Sequence, residues 1–214
     1  MKIFTNQLKR LFYLIVMIGF SSANAGSYED FFRAIEVNDA TVVRTLIQRG
    51  FDANSRDPKG QTGLILALRG GALDAADALL KAPNLDVNAL NEAGESALMM
   101  AALKGHADWS QRLIDHGASI VKHGWSPIHY AATGPDTAVV KLLLDKGAPI
   151  DARSPNGSTP LMMAAQYGAE TSVDLLLQRG ADPRLRNDRG LSAVDFAKLA
   201  KRDALAARLE HARR

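Results

Sequence analysis

The sequence predicts an all-α protein built as a solenoid, in which about six small helix-turn-helix units stack side by side. Two series of motifs predict this fold. The triplet Gly-x-Ser/Thr recurs with spacings of 34, 30, 33 and 33 residues, at Gly60, Gly94, Gly124, Gly157 and Gly190. A second series marks the same period: QRGFD from Gln48, DHGAS from Asp115, DKGAP from Asp145 and QRGAD from Gln178. A period near 33 residues is typical of stacked units that bury their apolar faces against their neighbours.

The stretch from Ser154 to Asp182 shows how the sequence encodes one unit. Ser-Pro-Asn-Gly forms a turn, and Thr159 then caps a first helix that opens with Pro160. A second, leucine-rich helix follows and ends at Gly180, where a glycine favours the left-handed helix cap. A unit this small cannot form a core alone, so it must stack on copies of itself.

The phrases GSTPLMMAA (from Gly157) and VDLLLQRGAD (from Val173) resemble the ankyrin repeat. The resemblance covers roughly Tyr28 to the C-terminus, with five copies of the first phrase in register. It implies an ankyrin-repeat solenoid with projecting β-turn or hairpin loops, and a domain at 26–214. The implied units are about 27–56, 57–90, 91–120, 121–153, 154–186 and 187–214, with atypical capping units at both ends.

One projecting turn is shorter than the others. Only nine residues separate Gly117 from Ser126, against twelve between the corresponding residues of three other units. Trp125 lies in this third projecting turn. We keep two interpretations of Trp125 open: it is an exposed anchor for a partner, or the short turn folds it onto the stack. Trp109, in a second helix, is expected to pack between units.

The first 25 residues have the order of a secretory signal peptide: Lys2, Lys9 and Arg10, then the uncharged run 11–20, then SSANA. Cleavage is expected near Ala25, which predicts a periplasmic or secreted protein; an uncleaved membrane anchor is the alternative. The leader holds three of the 26 basic residues and none of the 23 acidic ones, so the remainder is neutral. This balance gives no reason to expect a nucleic-acid partner. The absence of cysteine excludes disulfides and a lipoprotein anchor.

No residue pattern indicates an enzyme, a metal site or a cofactor site. The pairs Met99-Met100 and Met162-Met163 share one register, with His129 and Tyr130 between them. Such groups suit Cu(I), but equivalent positions in neighbouring units lie ~8–10 Å apart and metal ligands lie ~2 Å from the ion. We therefore expect the methionines to fill gaps between helices. The alternative function is a metal- or oxidative-stress-related periplasmic accessory protein that uses Met and His residues.

The resemblance implies that a partner binds the concave face, formed by the projecting turns and the first helices. We predict a monomeric, non-catalytic module that binds or regulates another exported protein. After cleavage of the leader, we expect it to bind no membrane. An inhibitor of the immunity type is a more specific form of this hypothesis. The positions that the resemblance assigns to the interface are Arg69, Glu95, Leu103, Lys104, His123, Trp125, Thr133, Gln166 and Tyr167.

Overall fold

The computed structural model describes residues 26–212, which form twelve helices and no named strand. The predicted signal peptide, 1–25, lies outside the described residues. The helices are α1 (26–36), α2 (Ala40–Gln48), α3 (Gly63–Gly70), α4 (Leu73–Leu80), α5 (Ala97–Leu103), α6 (Ala107–Asp115), α7 (Pro127–Thr133), α8 (Thr137–Asp145), α9 (Pro160–Tyr167), α10 (Glu170–Gln178), α11 (Ala193–Leu199) and α12 (Asp203–Ala212).

The helices are arranged in two rows. Helices α3, α5, α7, α9 and α11 contact one another in order and form the inner row. In the outer row, α2 contacts α4, α6 contacts α8, and α8 contacts α10. This arrangement confirms the predicted all-α solenoid.

Each of five inner helices begins at a buried Ser or Thr, as the repeated triplet predicts. Thr159 Oγ1, for example, accepts from the backbone N–H of Met162, and Met162 Sδ accepts in return from the N–H of Thr159 (both 3.4 Å). Met99 and Ser96 repeat this exchange. The methionine sulfurs therefore satisfy helix-terminal donors that would otherwise be unpaired in the core.

Ion pairs link neighbouring units along the outer row. Arg112 pairs with Asp77 at 2.5 Å, and Arg179 pairs with Asp145 at 2.9 Å. The Arg112 guanidinium also lies 4.1 Å from the ring centroid of Trp109, which is buried in α6 as expected. Across the described part of the chain, no ion pair joins α6 to α8, the two outer helices beside the short turn.

The third projecting turn lacks the closure that the other four share. In the fourth turn the Ser154 N–H donates to the Ser158 carbonyl, and Ser154 Oγ accepts from the Ser158 N–H (both 3.0 Å). The first, second and fifth turns close in the same way through Asp57, Asn91 and Asn187. Val121 occupies this position in the third turn and is 54% exposed. A valine side chain cannot accept a hydrogen bond, so this turn is not closed.

The three residues missing from the third turn include one that bridges neighbouring turns elsewhere. Asn54 Oδ1 accepts from the Asp86 N–H, and Asn88 Oδ1 accepts from the Ser119 N–H (both 2.8 Å). Among the described residues, no such bridge joins the third turn to the fourth, because the third turn lacks the residue that would form it. At the matching donor position the fourth turn has Pro149. Proline has no N–H, so the deletion leaves no unpaired donor.

We expect the backbone amides of Val121 and Trp125 to exchange with deuterium about 30-fold faster than those of Ser154 and Ser158. Each missing hydrogen bond removes roughly 1 kcal/mol of local stability, and the open turn lacks two of them. Residue-resolved hydrogen–deuterium exchange measures this difference. Equal exchange rates in the third and fourth turns would contradict the missing closure of the third turn.

Candidate functional site

A pocket opens in the middle of the concave face and spans three consecutive units. Its volume is about 190 Å³. Its walls come from the end of α5, the third projecting turn, α7 and α9. We call it the central pocket and define it by Leu103, Trp125, His129, Tyr130, Thr133 and Met163.

His129 forms the buried floor of the central pocket and is 0% exposed. Its Nδ1 accepts from the Ser126 N–H at 3.2 Å, and its Nε2 lies 3.0 Å from the Ala152 carbonyl and 3.2 Å from the Ser158 carbonyl. These partners assign the neutral tautomer with the proton on Nε2, because a carbonyl oxygen can only accept. Burial lowers the pKa of His129 below its ordinary value, against the raising effect of its backbone partners.

We expect the fold to lose stability as the pH falls below about 6.5, the ordinary pKa of histidine. Because the folded-state pKa of His129 is lowered, the unfolded chain binds the proton first, and the free energy of unfolding decreases with falling pH. The slope is at most about 1.4 kcal/mol per pH unit. Urea unfolding of the parent and of His129→Gln at about pH 7 and about pH 5 measures it. Glutamine keeps a helix-capping side chain without titrating, so an identical pH dependence in both proteins would contradict the assignment.

A chain of polar side chains runs along the concave face to the pocket wall. The Tyr130 hydroxyl donates to Glu95 Oε1 at 3.0 Å, and Arg69 pairs with Glu95 Oε2 at 2.6 Å. Arg69 also donates to Gln61, and Asn91 donates to Glu95. Burial, followed by the charge of Glu95, raises the pKa of the Tyr130 hydroxyl. Arg69 therefore already neutralises the charge of Glu95, which is one of the predicted interface positions.

Trp125 packs against the floor and remains accessible from the pocket. Its ring lies edge-to-face with His129, with 5.3 Å between centroids and an angle of 81°. The side chain is half-buried and lines the central pocket. The two interpretations of Trp125 therefore apply to different parts of one side chain. One part packs in the stack, and the other is available to a partner.

The structure brings some of the predicted interface positions together and leaves others apart. Leu103, Trp125 and Thr133 meet in the central pocket, and Arg69 pairs with Glu95. The remaining positions lie outside these two clusters: Lys104 and His123 are exposed, Gln166 is half-buried, and Tyr167 is 59% exposed.

The sequence did not single out three pocket residues for the interface: His129, Tyr130 and Met163. Tyr130 and Met163 occupy the fourth position after the capping residue of their helices. This shared position in the repeat was the sequence signal that could have assigned Tyr130 and Met163 to the interface.

The methionine pairs are part of the packing. Met99, Met100 and Met162 are each 1% exposed, and Met100 Sδ accepts from Arg69 Nε at 3.2 Å. Within residues 26–212, no group of three or more His, Cys, Asp or Glu residues is placed to hold a metal ion.

Comparison with known proteins identifies the family. The family model for ankyrin repeats in three copies matches residues 31–123 and 120–187. The chain belongs to the ankyrin repeat family. Over the part of the chain that the structure describes, no helix of this ankyrin-repeat protein has the length and apolar character needed to span a membrane.

Two relatives illustrate the similarity in sequence. Human neurogenic locus notch homolog protein 2 is 33% identical over an alignment of 165 positions, which covers 68% of this chain and 7% of that protein. An ankyrin repeat-containing protein of Treponema pallidum (strain Nichols) is 29% identical over 183 residues, covering 81% of this chain and 59% of that protein. The chain thus spans only a small part of the Notch proteins it matches.

A solved structure resembles nearly the whole described fold. It is a complex of a predatory endopeptidase from Bdellovibrio bacteriovorus with an immunity protein. The matched chain has a TM-score of 0.72 and 30% sequence identity, and the match covers 85% of this chain and 97% of that one.

Proposed function

We propose that this ankyrin-repeat protein is a non-catalytic module that binds another exported protein through its concave face. One observation carries the proposal: the central pocket exposes apolar surface in the middle of that face, flanked by the half-buried Trp125. Concave, largely apolar sites with a few aromatic anchors are typical of specific binding. The polar groups around the pocket hold one another in place, and Ser126, whose hydroxyl lies 2.9 Å from His129 Nδ1, is buried as a helix cap.

In its more specific form, the proposal is that binding inhibits the partner, as an immunity protein would. The likeness to a chain from an endopeptidase–immunity protein complex supports this form. The partner is then an exported hydrolase of the peptidase class, held inactive while bound.

Site-specific photo-crosslinking in the producing cells tests the proposal. A photoreactive benzoylphenylalanine replaces Tyr167 on the concave face in one variant and Gln178 at the exposed end of α10 in the other. We expect position 167 to capture a discrete exported protein, identified by mass spectrometry, and position 178 to capture none. Capture from position 178 alone would contradict the concave face as the interface.

The inhibitory form is tested on the captured partner. We expect an equimolar amount of the ankyrin-repeat protein to suppress the partner's hydrolysis of its peptide substrate. Full activity of the partner in the saturated complex would reject inhibition while leaving binding intact.

The localisation is also a proposal, supported by the sequence pattern of residues 1–25. We expect these residues to be removed on export, so that Gly26 becomes the new N-terminus. N-terminal sequencing or intact-mass analysis of the periplasmic and extracellular fractions measures this. An intact Met1 in the membrane fraction would instead indicate an uncleaved anchor.

A further inference from the structure

We propose that the central pocket receives one uncharged apolar side chain, of leucine, methionine or phenylalanine, from an acidic surface segment of the partner. This inference rests on the proposed function and specifies the chemistry of the partner. It follows from the pocket's polar groups, its volume and the charges around it.

The polar atoms of His129, Tyr130 and Thr133, which line the central pocket, already have hydrogen-bond partners inside the protein. Thr133 Oγ1 donates to the His129 carbonyl at 2.8 Å, and the Tyr130 hydroxyl donates to Glu95. Both ring nitrogens of His129 have backbone partners. A polar guest would lose its water and find no unused hydrogen-bond donor on His129, Tyr130 or Thr133, which is unfavourable. The remaining surface, from Leu103, Trp125 and Met163, suits an apolar guest.

The volume limits the guest to a single side chain. The pocket holds about 190 Å³, whereas an apolar cavity of roughly 150 Å³ is large enough to bind benzene. One leucine, methionine or phenylalanine side chain therefore fills it. A helix or a whole strand of a partner does not fit.

The charges around the pocket favour an acidic segment. Lys104 directly follows Leu103 and is exposed, and Lys122 Nζ lies 3.5 Å from the Trp125 carbonyl. Neither lysine forms an ion pair with any described residue. Glu95, the acid that accepts from the pocket residue Tyr130, is neutralised by Arg69. The rim thus carries two lysines that form no ion pair with a described residue. Carboxylates on the partner can pair with them, which favours both the approach of the partner and the bound contact.

The probe for this inference is a phage-displayed library of random peptides, selected on the folded protein. Fluorescein-labelled synthetic copies of the enriched peptides are then titrated by fluorescence polarisation. We expect the enriched peptides to share one leucine, methionine or phenylalanine close to Asp or Glu. Enrichment of peptides without an apolar residue, or of Lys- and Arg-rich peptides, would overturn the inference, as would a failure to enrich any peptide.

Three variants then locate the peptide. Thr133→Phe fills the pocket and is expected to weaken peptide binding at least about tenfold. Lys104→Glu reverses a rim charge and is expected to weaken it about fivefold, whereas Lys146→Glu, the same change at the exposed end of α8, leaves it unchanged. Unchanged binding by Lys104→Glu overturns the charge assignment even if Thr133→Phe proves unstable.

The result remains separable from the proposed function. If position 167 captures an exported partner but the peptide selection fails, the module still binds through its concave face. Only the apolar guest and its acidic flank are then rejected.

Discussion

Gly168→Ala is expected to destabilise the protein by about 3 kcal/mol or more, the upper range for inserting atoms into a packed region. Gly168 ends α9 with extended backbone, at φ −85° and ψ 178°. A Cβ added there would lie 2.0 Å from the carbonyl oxygen of Ala132 at the end of α7. A backbone carbonyl in a helix cannot move aside as a flexible side chain can, so neighbouring units must separate. Equilibrium unfolding in urea measures the loss.

Gly70→Ala is the matched control, since it makes the same substitution at the end of α3. No atom lies within 4 Å of the added Cβ, and Gly70 has no positive φ. Alanine favours a helix over glycine by roughly 0.5–1 kcal/mol, so this variant should be neutral or more stable. If both variants unfold like the parent, the close approach of α7 and α9 is not a feature of the folded protein.

The combined substitution Trp125→Ala and Tyr167→Ala is expected to weaken the partner complex by more than about 2 kcal/mol, or roughly 30-fold. Trp125 lines the central pocket, and Tyr167 is 59% exposed one unit further along the concave face. Large aromatic side chains contribute a disproportionate share of interface energy. Calorimetric titration of the captured partner measures the change in Kd.

Two controls decide how this result is interpreted. Gln178→Ala and Lys146→Ala change exposed residues at the ends of the outer helices α10 and α8 and should leave the Kd unchanged. The melting temperature of the double variant must also stay close to that of the parent, because Trp125 packs on His129. A stable double variant with unchanged affinity would contradict the assignment of the concave face.

The sequence was sufficient for the features that each unit encodes locally. Thr159 and Pro160 favour a helix start independently of the rest of the fold, because capping and a fixed φ act within a few residues. The 33-residue period indicated that each small unit buries its apolar face against its neighbours, so the stacking could be predicted. The short third turn was also visible in the spacing between Gly117 and Ser126.

Contacts between units were not predictable from the sequence in the same way. Glu95 was predicted as an interface position, but the sequence did not show that it pairs with Arg69 of the preceding unit and accepts from Tyr130 of the following one. Both partners lie about one repeat away along the chain. The choice among nearby groups depends on how the units are rotated relative to one another, which no local pattern specifies.

The sequence by itself therefore determined the type of unit, the number of units and the position of the irregular one. Only the tertiary structure showed that Leu103, Trp125 and Met163 enclose a pocket, and that Gly168 is needed for close packing as well as for ending a helix. The physical reason is the range of the interactions. Caps and turns act within about five residues, whereas a pocket or a backbone clash depends on atoms of different units that packing brings within a few ångströms.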